Sequence, residues 1–397
     1  MQKQVQLTVV GKVFKPNTHK VQLLNQCLNK YYELVKWHLQ FDTTSKNTLH
    51  KHYKEAKAFG LNTALVQTAR DKAVETLKSF KENRAEDSIL TLKKASVRFD
   101  HRCYRLDKTE NRMTPYWLTL SLGEERVVLP IVFGEREKLV EEALDGKWKF
   151  ATVEMVKDEE WYAHFTLEKT VELEDKPETV VAIDRGERNF AVAAAVFEEK
   201  PKKLLKGAFW KGADVKRTRG LYGHIRRSLQ LKGRFGKVKA IGEKENHIVN
   251  QQLHQIANEI VAYAKQFQKP VIAMEDLTGI RKRFKKGKRL NRRFHSLPFR
   301  RLQVLVEYKA LLQGVEVRYV SAKNTTKKCH RCGHVASVSG REYRCRTCGM
   351  RYNRDLNTAV NIAQLLMREL GWGSCDAPEP ASVTEGAKPW PNAGSSL

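Results

Sequence analysis

Hydrophobic positions change their period along the chain and divide it into three regimes. The opening stretch "VQLTVVGKVF" is crowded with β-branched residues and predicts a first strand over residues 1–12. Next, "HKVQLLNQCLNKYYELVKWHLQF" sets Val21, Leu24, Leu28, Tyr31, Val35 and Leu39 at helical spacing. A second amphipathic helix follows in "TALVQTARDKAVETLKSF", with Leu65, Ala69, Ala73, Leu77 and Phe80 on one face. From about residue 95 the pattern shortens to strands: "YWLTLSL", "RVVLPIVF", "KWKFATVEMV" and "WYAHFTLEK". A helical insert within a β-meander is therefore expected for residues 1–177, and the acidic, proline-bearing "VELEDKPET" reads as a linker.

The third regime begins at "TVVAIDRGERNFAVAAAVF". Val180 to Ile183 form an apolar run that reads as a buried strand ending in Asp184, and "NFAVAAAVF" reads as its antiparallel return. A carboxylate at the end of a core strand is costly to bury without a cation or donor, although Asp184 alone also reads as an acid in a hairpin turn. A second site has the same form. After the helix "NHIVNQQLHQIANEIVAYAKQF", the core strand of "KPVIAMEDLTGI" ends in Glu275 and then Asp276. Strand alternation points these two to opposite faces; Glu275 adjoins the apolar run, and Asp276 suits a turn cap. The third acid, Asp355 in "YNRDLNTAVNIAQLL", sits at the mouth of a helix with an inner face of Leu356, Ala359, Val360 and Ala363. It reads equally as an N-cap. Three carboxylates so placed can hold two Mg²⁺ ions, but spacing alone does not bring them together.

Just before Asp355 stand Cys329 and Cys332, then Cys345 and Cys348 after a twelve-residue loop, each pair followed by a glycine. Four thiolates in this pattern suit one structural, tetrahedral zinc, with His330 or His334 as alternative ligands to one cysteine. No signal peptide is expected at the start, so reduced thiols are favoured over disulfides and a cytoplasmic location is expected.

Charge selects the partner. The 397 residues carry 73 Lys and Arg against 45 Asp and Glu, a formal net charge of +28. Such an excess opposes compaction unless a polyanion neutralises it. No apolar run reaches the length that spans a bilayer, so nucleic acid, not a membrane, is the expected polyanion. Two stretches suit it. "RKRFKKGKRLNRRFHSLPFRR" interleaves Arg292, Arg293 and Arg300 with aromatics such as Phe294, joining phosphate contacts to stacking faces. A basic helical hairpin over 216–244 offers Arg226, Arg227 and Lys232. Solvated, ligand-free faces are the alternative for both.

The residues also carry a family resemblance. "AIDRGERNFAV", "IAMEDLTGI" and "CHRCGH…YRCRTCGMRYNRDLNTAVNIA" resemble the three split RuvC motifs and inserted zinc ribbon of TnpB. TnpB is the transposon-encoded, RNA-guided nuclease related to compact type V CRISPR effectors. The resemblance covers roughly half the chain closely, and the N-terminal half only in outline. It implies an α/β fold with an RNase H-like (RuvC) nuclease core and an inserted four-cysteine zinc ribbon, preceded by a wedge-like β-barrel. It further implies Asp184, Glu275 and Asp355 as magnesium-binding catalytic acids, with a guide RNA and target double-stranded DNA as partners. The domains expected are a barrel at 1–177 with a helical recognition insert at about 18–94, a nuclease core at 178–328, the ribbon at 329–348, the third core motif at 349–371 and a disordered tail at 372–397. Binding to DNA would place the protein on a prokaryotic nucleoid. Two departures stand out: Arg185 follows the first acid where an apolar residue is common, and "SAKNTTKKC" carries Thr-Thr-Lys-Lys before the first cysteine. Competing readings are a nuclease-inactive RNA-guided repressor, a compact CRISPR effector and a zinc-ribbon factor without catalysis.

Overall fold

The computed structural model describes residues 2–83, 88–92, 96–198, 204–276, 297–337 and 340–372. The predicted tail falls almost wholly outside the described residues. Two compact units divide the chain, Gln4–Thr170 and the part from Val171 onward with the first three residues.

In the first unit, β1 (Gln2–Val13) leads into α1 (Thr18–Leu39), α2 (Lys46–His50), α3 (Tyr53–Lys57) and α4 (Thr63–Asn83). The strands β2 (Ser96–Asp100), β3 (Tyr104–Lys108), β4 (Tyr116–Ser121) and β5 (Arg126–Phe133) follow, then α5 (Glu137–Leu144), β6 (Lys149–Lys157) and β7 (Trp161–Glu172). The sheet order is β2-β6-β7-β1-β5-β4-β3. Its two edge strands, β2 and β3, are consecutive in the chain and joined by only three residues, His101 to Cys103. So short a link holds the edges within roughly 15 Å at that end, and the seven-stranded sheet is nearly closed. This agrees with the barrel that the family resemblance implies. Gly11 of β1 leaves room for the side chains of its neighbour β5: a Cβ there would lie 2.4 Å from Ile131 Cγ2. The predicted helices form. Asn17 caps α1 by accepting from the Lys20 amide at 2.9 Å, and Leu24, Leu28, Tyr31 and Val35 are buried.

His38, on the last turn of α1, is buried and neither ring nitrogen has a partner among the described residues. Burial lowers its pKa to about 4, with the neighbouring charges of Arg70 and His52 adding to the effect. The neutral ring is thus favoured in the fold, whereas the unfolded chain takes up a proton near the ordinary value of 6.5. This contribution to stability is present above pH 6.5 and is lost as pH falls from there toward 4; it is on the order of 3 kcal/mol. Equilibrium unfolding followed by tryptophan fluorescence should show His38→Leu flattening the pH dependence across this window. An unchanged slope would show that His38 does not titrate on unfolding.

The second unit is built on a five-stranded sheet ordered β10-β9-β8-β11-β12. Its strands are β8 (Thr179–Asp184), β9 (Asn189–Phe197), β10 (Leu204–Lys211), β11 (Pro270–Asp276) and β12 (Glu316–Ser321). β10, β9 and β8 pair antiparallel, while β11 runs parallel to both β8 and β12. Strands covered on both faces read as unbroken apolar runs, and Val180 to Ile183 and Val271 to Met274 are all buried. One face carries α6 (Ala213–Leu231), α7 (Phe235–Ala264) and α8 (Phe299–Leu312), whose Val215, Leu253, Ile260 and Leu305 pack on Ile183, Ile272 and Met274. The other carries α9 (Arg354–Glu369), whose Ile362, Ala363, Leu366 and Met367 pack on Val180, Ala182 and Ala273. Between β12 and α9 lies a ribbon with a two-stranded ladder, β13 (Glu342–Arg344) and β14 (Arg351–Asn353). Gly207 seats the start of α9, since a Cβ there would approach Leu356 Cδ1 to 3.2 Å.

Candidate active site and metal centre

Asp184 closes β8, and Glu275 is the penultimate residue of β11. These parallel strands are paired with Ile183 opposite Met274, so the next step sets Asp184 beside Glu275. Neighbouring strands lie about 4.8 Å apart, and residues at one level of a parallel ladder share a face. Val180, Ala182, Val271 and Ala273 pack toward α9, whereas Val181, Ile183, Ile272 and Met274 pack on the opposite side. Alternation therefore turns both acids toward α9. Asp276 falls on the other face and is exposed.

Asp355 stands in the first turn of α9, but it is not the cap. That role belongs to Asn353, whose Oδ1 accepts from the amides of Asp355 at 3.0 Å and Leu356 at 3.1 Å. The Asp355 carboxylate instead accepts from Asn189 Nδ2 at 2.8 Å, on the strand that returns from Asp184. The acid that opens α9 thus faces the sheet edge where the other two end.

Electrostatics reflect this grouping. Burial raises the pKa of Asp184 well above the usual carboxylate range; the charges of Glu275 and then Asp355 raise it further, against the pull of Arg185 and Arg354. Glu275 is also raised by burial, opposed by a hydrogen bond donated by Thr325 Oγ1 to its Oε1 and by Arg185. Repelling carboxylates held on one partly dry face are stabilised by bound cations. Hard oxygen donors of this kind fit Mg²⁺.

Four residues support the acids and were not recognised from the sequence as doing so: Asn189, Thr325, Arg185 and Gln303. Arg185, noted only as a departure from the family pattern, is buried beneath the pair. Its guanidinium donates to Gln303 Oε1 at 2.7 Å and to the Glu275 carbonyl oxygen. Gln303 is itself buried on the inner face of α8, and a glutamine in that apolar stripe was the available signal.

The ribbon brings its four cysteines together. Cys329 and Cys348 sulfurs lie 3.7 Å apart and those of Cys332 and Cys345 3.5 Å; all four fall within 4.8 Å of one another. A zinc ion with Zn–S bonds of about 2.3 Å sets tetrahedral sulfurs about 3.8 Å apart, so the quartet fits zinc. Gly333 and Gly349, at φ 76° and 72°, make the two turns behind the sulfurs. Neither histidine belongs to the quartet. His330 is buried and pairs through Nδ1 with Asn357 Oδ1 at 2.9 Å. Among the described residues, the cysteines are the only such group this tight, so the three acids are spread more widely.

The ribbon also grips the start of α9. The Arg354 amide donates to the Arg341 carbonyl at 2.8 Å, Asn357 donates to the Lys328 carbonyl at 2.9 Å and Gln364 to the His330 carbonyl at 2.9 Å. Asp355 lies within this gripped segment. Of the basic residues singled out, Arg226 forms an ion pair with buried Glu245 inside the α6–α7 hairpin, while Arg227, Lys232 and Arg300 are exposed. Arg292, Arg293 and Phe294 lie outside the described residues.

Known proteins are similar to this chain. Residues 299–362, from α8 through the ribbon into α9, match the Cas12f1-like TNB domain family. The TnpB-like protein MJ0751 of Methanocaldococcus jannaschii is 29% identical over 240 residues, which cover 58% of this chain and 84% of that protein. The chain is thus similar both to TnpB-like proteins and to compact CRISPR-associated endodeoxyribonucleases. The CRISPR-associated endodeoxyribonuclease Cas12f2 of a Micrarchaeota archaeon is 30% identical over 219 residues, covering 52% of this chain and 40% of that protein. The fold resembles that of Cas12f1 in a complex with sgRNA and target DNA, with a TM-score of 0.61 at 16% identity, covering 87% of this chain and 82% of that one. It also resembles the mini-RNA-guided endonuclease CRISPR-Cas_phi3, with a TM-score of 0.52 at 11% identity over 96% and 94% of the two chains. At these identities the structural likeness is one of fold. Among the described residues no helix is long and apolar enough to cross a membrane.

Proposed function

We propose that the protein is an RNA-guided DNA endonuclease that hydrolyses phosphodiester bonds at Asp184, Glu275 and Asp355. The observation that carries this reading is the shared face: two parallel strand ends and the first turn of α9 present three acids to one place. That place is the carboxyl end of the sheet where strand order reverses, between β8 and β11, the usual position of a ligand site in such sheets. The mixed sheet, three strands antiparallel and two continuing parallel, supports an RNase H-like core. Curated relatives named as endodeoxyribonucleases support nuclease chemistry, and a structural relative holding sgRNA and target DNA supports those partners.

The three carboxylates would hold two Mg²⁺ ions, which when bound supply an activated water and stabilise charge on the leaving oxygen. The protein's own contribution is placement. Thr325 and Arg185 fix the Glu275 carboxylate and backbone, and Asn189 fixes Asp355. Arg185 also offsets part of the negative charge that the acids would otherwise share. Sequence would be read by pairing between guide and target, with the protein contacting backbone and a short adjacent motif. The basic surfaces then serve as backbone contacts.

Removing one support should leave a measurable trace. Thr325→Val keeps the buried volume but takes the donor from Glu275, whose pKa should then rise further. The acidic limb of the cleavage pH–rate profile should move to higher pH, with about a tenfold slower rate near neutrality. A rate loss without movement of the limb would point to a packing role only.

The proposal itself is tested by purifying the protein from its own host and sequencing the bound RNA. A defined species mapping beside its own gene supports the TnpB-type reading, and one from a CRISPR array supports an effector. Absence of any specific RNA would count against guided activity of either kind.

A further inference from the structure

Between the lead-in to the ribbon and the last turns of α9 lies a cavity of about 290 Å³. Lys323, Lys328 and Arg368 line it, Val335 and Leu365 form apolar walls, and Asn361 is part of the lining. No acid is among the described lining residues, and none of the three cations makes an ion pair among the described residues. Cations gathered without counter-charges favour an anion.

Asn361 adds a second, independent demand. It is 3% exposed, and its Nδ2 donates to the carbonyls of Thr325 at 2.8 Å and Lys328 at 2.7 Å. Those two acceptors fix the amide orientation, which leaves Oδ1 as a buried acceptor with no partner among the described residues. Such an atom calls for an N–H or O–H donor. A phosphodiester group alone does not provide one. A nucleotide does, in a sugar hydroxyl or a base amine, and its ring suits the apolar walls. The volume also lies near the lower end, roughly 300 Å³, of small-molecule sites, well beyond what one phosphate fills.

We propose that this cavity receives a single unpaired nucleotide of a nucleic-acid strand, with its phosphate on Lys323, Lys328 and Arg368 and its sugar or base donating to Asn361. The proposal shares its class of partner with the function above but needs no cleavage. Thr325 belongs to both places: its carbonyl holds Asn361 and its hydroxyl holds Glu275. The occupied cavity therefore adjoins the acids.

The test uses the full-length, zinc-loaded protein without divalent magnesium, and a short labelled single strand at physiological salt. The Lys323→Gln/Arg368→Gln pair should weaken binding about tenfold, because phosphate contacts dominate such affinities. An equal loss of charge from exposed sites elsewhere, Lys138→Gln/Lys147→Gln, should change it by less than about twofold. A photoreactive thymidine in the strand should cross-link to Val335 or Leu365, and nucleoside monophosphate should compete better than inorganic phosphate. Four outcomes would overturn the proposal: equal weakening by both charge pairs, cross-links only elsewhere, phosphate competing as well as the nucleotide, or a mononucleotide binding while strand affinity is unchanged in the pocket variant. All four mutated lysine and arginine positions are exposed, and zinc content checks that each variant remains folded.

Discussion

Asp184→Ala should slow guided cleavage by about a hundredfold to a thousandfold or more while leaving RNA and target binding intact. The magnitude is that of removing one preorganised electrostatic group from a reaction that develops charge in its transition state. The position should matter more than most because Asp184 feels the charge of both other acids. It shares its ladder level with Glu275, and its charge couples to both Glu275 and Asp355. Its removal relieves repulsion among the three, so the fold should not suffer and the thermal midpoint should hold or rise slightly. A rate measurement on matched duplex, with binding followed in parallel, separates these effects. A variant that cuts normally would mean that the acids are misassigned.

The second large effect concerns the ribbon. Cys345→Ser should empty the site of its zinc, about one ion per chain, because the binding energy of such sites is largely folding energy. The consequence should reach the acids. Without the ribbon fold, α9 loses the bonds that Arg354, Asn357 and Gln364 make to ribbon carbonyls, and Asp355 with them. Cleavage should fall at least about tenfold, and a chelator strong enough to strip the wild type should reproduce the loss. Full cleavage by protein shown to lack zinc would reduce the ribbon to a separable module.

Such coupling would also explain why a four-cysteine clip stands so close to an acid. The clip is placed so as to hold the first turn of α9 against the sheet edge. It was legible in the sequence because cysteine spacing and following glycines leave few alternatives. The core strands were legible for a similar reason: doubly covered strands show as continuous apolar runs, and each ended at its acid. Convergence was not legible. It depends on the register of β8 against β11 and on which face α9 covers, and neither leaves a local mark in sequence. The N-cap question shows the same limit, since Asn353 and Asp355 are both good caps and only geometry assigned the role to Asn353.

Other features escaped because their signal is weak. β2, β3, β10 and α5 were not separated from their surroundings by periodicity; β2 and β3 are five residues each, too short for alternation to stand out. Arg226 looked like a phosphate contact because its neighbours are basic, yet it pairs with Glu245, an acid one helix away that the hairpin buries. Arg185 looked like an exception in an apolar position. Its environment makes it a support: a buried guanidinium with Gln303 on one side and the backbone of Glu275 on the other.

The most direct test of guided cleavage programs the purified protein with its own co-purifying RNA and offers it a duplex matched to that RNA, in Mg²⁺ and in Ca²⁺. The matched duplex should be cleaved in Mg²⁺ but not in Ca²⁺, whose longer and looser coordination positions reactants poorly, and an unmatched duplex should be cleaved in neither. Tight, guide-dependent binding with no cutting of the matched duplex in Mg²⁺ would contradict guided cleavage and leave an RNA-guided DNA-binding protein in place of a nuclease.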